Sequence, residues 1–575
     1  MKILGIGCSS FHDPSAALLV DGEVVAAAEE ERFTRQKHAY SQNPVHAARF
    51  CLEQAGLEPG DIDLVAYPWS AEIMREKRWE YAKRAFPKSP SKAVRAFTKL
   101  MRLQRRRVGA LHATLREVGI DPAIETAFVE HHLAHASSAF HLSGFPSAAI
   151  LTADGEGEVT STLLAEGLAD GSIVKRKEVL KPDSLGLFYS TMTEYLGFNA
   201  MDGEYKLMGM APYGDPSKVD LRDMVRLTEN GFRCDDDRVW VARKLRAGPK
   251  IHYARAMVEE LGPPRKGDAL TEPYIHIAAA TQKLLEDMVL GLVDRHLSDA
   301  LKRHDGRLAF AGGVALNVRL NRKLIAHPLI KELWVQPASS DAGIALGAAT
   351  YAAKARGQAI QPMEHAALGP SYTSEQVQAA LDKFKIPYRR LDDPCGAAAS
   401  LLAKGEVVAW FEGRMEFGPR ALGQRSILGN PAVPGTSDQI NARIKFREKW
   451  RPFCPSVLKE RGAELFDHPH DSPFMTFTFG VRPEWKDKIA EVVHVDGSAR
   501  PQYVTERRAP RFYELLKKFE GLTGIPVVIN TSLNRRGEPM ICSPEDALAM
   551  FYGCGLEFMV IEDFLVSKRP GGLDL

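Results

Sequence analysis

Two histidines four residues apart, His131 and His135 in Glu-His-His-Leu-Ala-His (130–135), give the first sign of chemistry in this 575-residue chain. On a helix that spacing turns by about 40°, so both imidazoles leave one face about a turn apart. Two neutral imidazoles so placed can grip one divalent ion. The pair alone fits helix-surface or core histidines equally well. No glutamate follows the first histidine, so a zinc protease is not indicated. Two aspartates strengthen the metal reading. Asp154 follows the apolar run 148–152, and Asp341 follows Leu-Trp-Val-Gln-Pro (333–337). Both stand at the carboxyl end of an expected strand, where open α/β sheets carry their sites.

A second set of candidates is cationic. Arg420 and Arg425 lie in Glu-Phe-Gly-Pro-Arg-Ala-Leu-Gly-Gln-Arg-Ser-Ile-Leu (416–428), just after Arg414. Lys445, Arg447, Lys449 and Arg451 cluster next, Arg500 lies in Asp-Gly-Ser-Ala-Arg-Pro-Gln, and an expected strand at 526–529 leads into Asn530, Thr531, Ser532 and Asn534. Arginine supplies bidentate forks and lysine a point charge, which together suit a triphosphate. Surface salt bridging would use the same residues, but glycine and proline around Arg420 favour a fixed loop. Gly312 and Gly313 follow an expected strand at 307–310 and would let backbone N–H groups approach a phosphate or ribose, with Asn317 bonding a ribose or base. Asp202 and Lys206 lie in a glycine-punctuated stretch, 201–214, which reads equally as a solvated surface loop.

The elements that must position these residues read as α/β. Strands are expected at 3–6, 16–20 and 24–28, the last two joined by an Asp21-Gly22 turn, followed by a helix at 44–55 and a strand at 64–67. A strand, a polar loop and a hairpin is how ATPases of the actin, sugar-kinase and heat-shock-chaperone type begin. The plan returns as strand 148–152, loop 154–158, strand 161–165 and later helices including 275–297, which implies two halves of a duplicated fold despite negligible identity between them. Gly357, Pro362 and Gly369-Pro370 mark a boundary. The expected domains are 1–360 and 386–575, joined by a linker at 361–385, and the second opens with a helix at 396–404 and a strand at 407–411.

Composition sets the limits. With 45% hydrophobic and 26% charged residues and a net charge of +2, nothing global points to nucleic acid. No apolar run reaches the ~18 residues of a membrane span. The amino terminus reads as a first strand and not an export signal. Seven scattered cysteines without Cys-x-x-Cys point to reduced thiols and a cytoplasmic protein. One stretch stands out: residues 81–116 hold 11 lysines and arginines and no acid. Lys92, Arg95, Lys99, Arg102 and Arg106 share one helix face, with Val94, Phe97 and Met101 on another. This insertion is a solvated face, or a surface for an anionic acceptor or a peripheral membrane contact, with nucleic acid a third option disfavoured because no aromatic interleaving accompanies the charge.

Taken together, these motifs resemble the carbamoyltransferase family that includes the O-carbamoylating enzymes of antibiotic, nodulation-factor and lipopolysaccharide pathways. The carriers are residues 11–18, 29–35, 131–136, 203–209, 312–317, 417–428 and 530–534, in one order over nearly the full length. The resemblance implies a duplicated actin-like ATPase domain followed by a YrdC-like α/β domain. It implies a metal on His131, His135, Asp154 and Asp341, with iron expected and manganese or zinc as alternatives. It implies that carbamoyl phosphate and ATP, with its magnesium, become carbamoyl-adenylate at Arg420, Lys445, Arg500 and Ser532, with Arg414, Arg425, Arg451, Asn530 and Thr531 as neighbours. The carbamoyl group then passes to an acceptor hydroxyl at the metal, near His12. That hydroxyl needs a base, for which His12 is the first candidate and Asp13 or Asp202 the alternatives. A saccharide acceptor is expected, and the basic stretch points to a phosphorylated one such as a lipopolysaccharide-core heptose; a homodimer is compatible. Two other readings remain: a threonylcarbamoyl-adenosine-type tRNA enzyme, and a nucleotide-switched binding protein of the chaperone kind. A hydrogenase-maturation enzyme is disfavoured by the missing acylphosphatase module and Cys-x-x-Cys fingers.

Overall fold

The computed structural model describes residues 1–7, 12–86, 90–241, 246–248, 251–468 and 470–574, with the side chains of 91, 92, 95, 96 and 99–104 left out. Two compact units emerge. The first holds residues 1–24, 41–52 and 56–362; the second holds 25–40, 53–55 and 363–575.

Two five-stranded sheets of one topology account for most strands of the first unit, residues 25–29 of the first sheet's outer strand being counted with the second unit. In the first sheet β1 (Lys2–Gly7), β2 (Ser15–Val20), β3 (Glu23–Glu29), β4 (Leu64–Tyr67) and β5 (Thr126–Phe128) run in the order β3-β2-β1-β4-β5. In the other, β6 (Ala148–Ala153), β7 (Thr160–Gly167), β8 (Ile173–Leu180), β9 (Arg307–Ala311) and β10 (Glu332–Val335) run in the order β8-β7-β6-β9-β10. Each begins with an antiparallel hairpin, β1 with β2 and β6 with β7, then adds parallel strands on the other side of its first strand. This is the duplicated actin-like plan, legible in topology where sequence identity is not. All six residues of β6 are buried, as expected of an inner strand covered on both faces.

Five helices of this unit matter below: α1 (Pro90–Val118), α2 (His131–Phe140), α3 (Leu185–Tyr195), α4 (Tyr274–Leu292) and α5 (Ile344–Ala355). Helices α2 and α5 are rich in alanine and buried along most of their length, so their backbones approach closely. A Cβ at Gly347 would lie 1.9 Å from the carbonyl oxygen of Ala134. Asp341 immediately precedes α5, so this contact fixes one metal candidate relative to the other two on α2. Helix α1 carries most of the basic stretch. The side chains of Lys92, Arg95, Lys99 and Arg102 lie outside the described residues, while Arg106 is exposed. Two of the stretch's cations are structural: Arg84 is ion-paired to Asp183 and Asp236, and the buried Arg107 lies 3.5 Å over the Trp69 ring.

The second unit is mixed α/β. Its eight-stranded sheet uses β11 (Tyr388–Arg390), β12 (Val408–Phe411), β13 (Arg425–Gly429), β14 (Cys454–Leu458), β15 (Gln502–Val504), β16 (Val527–Ser532), β17 (Phe558–Ile561) and β18 (Phe564–Ser567), in the order β11-β18-β17-β12-β13-β16-β14-β15. The helices α6 (Pro394–Ala403) and α7 (Pro510–Thr523) pack against it around Trp410, Phe512, Leu516, Phe519, Val528 and Val560. Proline in the first turn and the Asp393 carboxylate on the Gly396 N–H fix the start of α6.

Candidate functional site

The histidine pair and the two aspartates meet. One donor atom from each of His131, His135, Asp154 and Asp341 lies within 4.8 Å of every other. The Nε2 atoms of the two imidazoles are 3.2 Å apart. Asp154 Oδ2 is 3.4 Å from His131 Nε2 and 3.2 Å from His135 Nε2; Asp341 Oδ1 is 3.4 and 3.5 Å from the same atoms. At a ligand distance of about 2.1 Å, the edge of a tetrahedron of donors is about 3.4 Å, so this spacing is that of a coordination shell. Two imidazoles and two carboxylates without a thiolate suit a hard to borderline divalent ion, iron, manganese and zinc alike.

Local structure explains the convergence. The i, i+4 spacing on α2 puts both rings on one face. Asp154 comes off the end of β6, where the Gly312–Gly313 turn faces it. Gly312 has a φ of +94° and its Cβ would lie 2.2 Å from the carbonyl oxygen of Ala153, so only glycine fits. The Gly313 N–H then donates to Asp154 Oδ1 at 3.1 Å. The donor that sequence reasoning aimed at a nucleotide therefore orients a metal-type carboxylate. Asn317 caps the helix Val318–Ile325 through Leu320 N–H and pairs both amide atoms with Gln282 at 2.9 and 3.0 Å. Its side chain is thus spoken for. Asp202 lies just before and Lys206 within the short helix Glu204–Met210, Lys206 Nζ being 5.5 Å from the Phe198 ring centre.

The electrostatics follow from burial in company. Burial opposes charge on His135, but its hydrogen bonds to Asp154 and Asp341 outweigh that and raise its pKa to about 9. Burial pushes Asp154 up, yet both histidines hold it well below the usual carboxylate range. Its neighbour His132 is driven well down by burial and by His131 and His135, and its Nδ1 lies 2.6 Å from Thr152 Oγ1. His12 lies at the same place: Nε2 is 3.8 Å from Asp341 Oδ2, and Nδ1 is 3.1 Å from Asp13 Oδ2.

Several supporting residues escaped the sequence reading. Glu158, 1% exposed, accepts the N–H groups of Ser70 and His131 and so anchors the start of α2. Trp69 stands edge-to-face on His131 with the ring centres 6.2 Å apart. Glu158 sits in the loop that follows Asp154, which was the available signal; nothing in the sequence marked Trp69.

In the second unit the structure brings Lys445 to Ser532. The buried Lys445 ends a π-turn (Asn441–Lys445) and donates to the Ser532 carbonyl, to Ser532 Oγ at 3.1 Å, and to Asn534 O and Oδ1 at 3.0 and 2.7 Å. Burial, then Arg447 and Arg451, push its pKa well down. Arg500 directs Nε and Nη2 at Cys454 Sγ, 3.0 and 2.7 Å away. Arg451 pairs with Glu448 at 3.6 Å. Asn530 is buried and bonded to Ser456 and Gln502, and Thr531 sits in the ladder opposite Ile427.

Two expected neighbours of the triphosphate donate to the protein's own carbonyl oxygens. Arg425 is fully buried and stacked 3.6 Å over Phe411. Its guanidinium donates to the carbonyls of Glu412, Gly413, Gln424 and Pro370. Arg414 donates to the carbonyls of Val25, Leu368 and Gly369. Arginine's planar fork serves carbonyl oxygens as well as phosphate, and sequence does not separate the two. Arg420 remains half-buried on its loop.

Residues 2–350 match the family profile described as "Carbamoyltransferase N-terminus", and residues 399–568 the one described as "Carbamoyltransferase C-terminus". The chain is 38% identical to nodulation protein NolNO of Sinorhizobium fredii over 97% of this chain and 79% of that one. It is 36% identical to the uncharacterized protein sll1178 of Synechocystis over 98% and 96%, and 30% identical to nodulation protein U of Rhizobium tropici over 96% and 94%. Among solved structures, HypF of T. kodakarensis aligns with a TM-score of 0.31 at 12% identity over 62% of this chain and 48% of that one, too low a score to bear on the fold.

Proposed function

The chain belongs to the carbamoyltransferase family, and from that premise we propose that it is an ATP-dependent O-carbamoyltransferase with two chemical stations. The second unit makes carbamoyl-adenylate; the first transfers the carbamoyl group to a saccharide hydroxyl. The observation that carries this reading is the four-donor cluster of His131, His135, Asp154 and Asp341 in a member of this family.

In the first station His131, His135, Asp154 and Asp341 would hold the ion, and His12 stands beside them, its Nε2 3.8 Å from Asp341 Oδ2. A divalent ion bound there supplies Lewis acidity to a carbonyl or phosphoryl oxygen. His12, held by Asp13, takes the proton of the attacking hydroxyl. The hydroxyl oxygen bonds to the carbamoyl carbon as the bond from that carbon to the adenylate oxygen breaks, and AMP leaves. Glu158 and the α2–α5 contact keep the ligand pair in register, so the site is built before substrate arrives.

In the second station carbamoyl phosphate, ATP and water become carbamoyl-adenylate, phosphate and pyrophosphate. Lys445, Arg420 and Arg500 are the cations for that step. An arriving polyphosphate offers the buried Lys445 an opposite charge, against the burial and the Arg447 and Arg451 repulsion that push its pKa down. Charge neutralisation with in-line positioning is what adenylation asks of a protein. The acceptor we favour is a phosphorylated saccharide such as a lipopolysaccharide-core heptose, because residues 81–116 concentrate positive charge.

The test is a panel of sugar acceptors with ATP and labelled carbamoyl phosphate. AMP should appear together with a labelled sugar carbamate. If no saccharide on the panel stimulates AMP release, the acceptor class is wrong.

A further inference from the structure

The motif Glu-Glu-Glu-Arg-Phe-Thr-Arg (29–35) has so far no role, yet it belongs to the second unit and not to the first. Its side chains close on the loop that carries Arg420. Arg32, 4% exposed, pairs with Glu29, also 4% exposed, at 2.9 and 3.2 Å. Both then grip the backbone of one residue: Arg32 Nη2 donates to the Gly418 carbonyl at 2.9 Å, and the Gly418 N–H donates to Glu29 Oε1 at 3.0 Å. Arg35 donates to the carbonyls of Met540 and Pro539, and Phe33 packs with Met415, Ala421, Met540 and Cys542.

The same loop is pinned at its base. Phe417 is buried and its N–H donates to the Ala366 carbonyl at 2.7 Å. Glu416 Oε1 accepts the N–H groups of Leu422, Gln424 and Arg425. Between these anchors Pro419 is exposed and Arg420 half-buried, so the arch presents them. Burying an ion pair is costly unless further hydrogen bonds complete it. Here the completing bonds go to the Gly418 N–H and carbonyl, two residues before the arginine proposed to meet ATP.

We propose that Glu29 and Arg32 are positioning residues for Arg420: a clamp donated by the amino-terminal stretch 25–40 that fixes the nucleotide loop of the second unit. This rests on the adenylate reading for its catalytic consequence, while the mechanical part stands on the contacts alone.

Hydrogen exchange separates the two. In the full-length Glu29→Ala and Arg32→Ala proteins, peptides covering 413–424 should exchange at least tenfold faster than in the parent, with peptides of 131–154 unchanged. Glu29→Gln, which keeps an acceptor for Gly418, should lie between and serves if the alanine variants do not fold. Unchanged exchange at 413–424 overturns the clamp whatever Arg420 does. Pyrophosphate release then reads the catalytic part. Glu29→Ala should lower the turnover rate at saturating ATP about as much as Arg420→Ala, and the double variant should be no worse than Arg420→Ala alone. Additive losses overturn the positioning role. Full pyrophosphate release by Arg420→Ala would instead fault the adenylate reading, and the exchange result would still decide the clamp.

Discussion

In the first unit, four donor atoms from three elements face one another within 4.8 Å; in the second, Lys445, Arg414 and Arg425 are each tied to carbonyl oxygens. The first arrangement gathers side chains whose lone pairs share one target, so a cation completes it. The second holds its cations against the protein's own oxygens. Convergent ligands identify their site by geometry. Cations identify theirs only by what their donors already touch.

The strongest way to break this comparison is to remove a converging ligand. His135→Ala should lose bound metal, measured by elemental analysis, and lower carbamoyl transfer by about a hundredfold or more, since even outer-shell changes around a metal cost 10- to 100-fold. Pyrophosphate release should stay within about twofold. A parallel collapse of both would mean that the two chemistries are not separate. The complementary variant, Lys445→Ala, should lower pyrophosphate release by about 10²- to 10³-fold, the scale for one preorganised charge donor, with metal content unchanged.

Arg425 and Arg420 sharpen the contrast within the second unit. Arg425→Lys leaves several buried carbonyls without a donor and should cost on the order of 2–3 kcal/mol, read as a lower urea midpoint. Arg420→Lys should leave that midpoint in place and slow pyrophosphate release. The reverse pattern would return Arg425 to the nucleotide.

The smallest effect belongs to a structural carboxylate, the counterpart of Asp154. Glu166 on β7 is buried, which raises its pKa, but bonds from Arg303, His304 and Arg176 outweigh this and hold it at about 2. A depressed folded-state pKa adds stability above the unfolded value of about 4.3, lost as pH falls towards 2. Glu166→Gln should therefore cost on the order of 1–2 kcal/mol at neutral pH and flatten the acid limb of the denaturation profile between about pH 4 and 2. Metal content should not change.

How much of this was readable in advance depends on range. The histidine spacing is a property of one helix, and Asp154 and Asp341 stand beside strands that local patterning reveals, so the four residues that converge could be named. The duplicated fold was legible from two hairpins and their crossovers. The bonding of Arg425 and Asn317 was not legible because their partners, carbonyls at 370 and 412–413 and the amide of Gln282, are distant in sequence. The Glu29–Arg32 pair lies nearly four hundred residues from Gly418. Its motif was visible, but its address was not.

That separation bears on how the protein is made. Residues 25–40 and 53–55 leave the ribosome among the first, whereas the rest of their unit, from 363 onward, leaves last. The stretch must wait through the synthesis of nearly everything between, carrying a buried-type ion pair with nothing to bury it. Neither half can then be produced whole by cutting near residue 362: a front fragment keeps an orphaned strap, and a rear fragment lacks one of its own pieces. Vectorial folding, unit by unit from the amino end, is closed to the rear half.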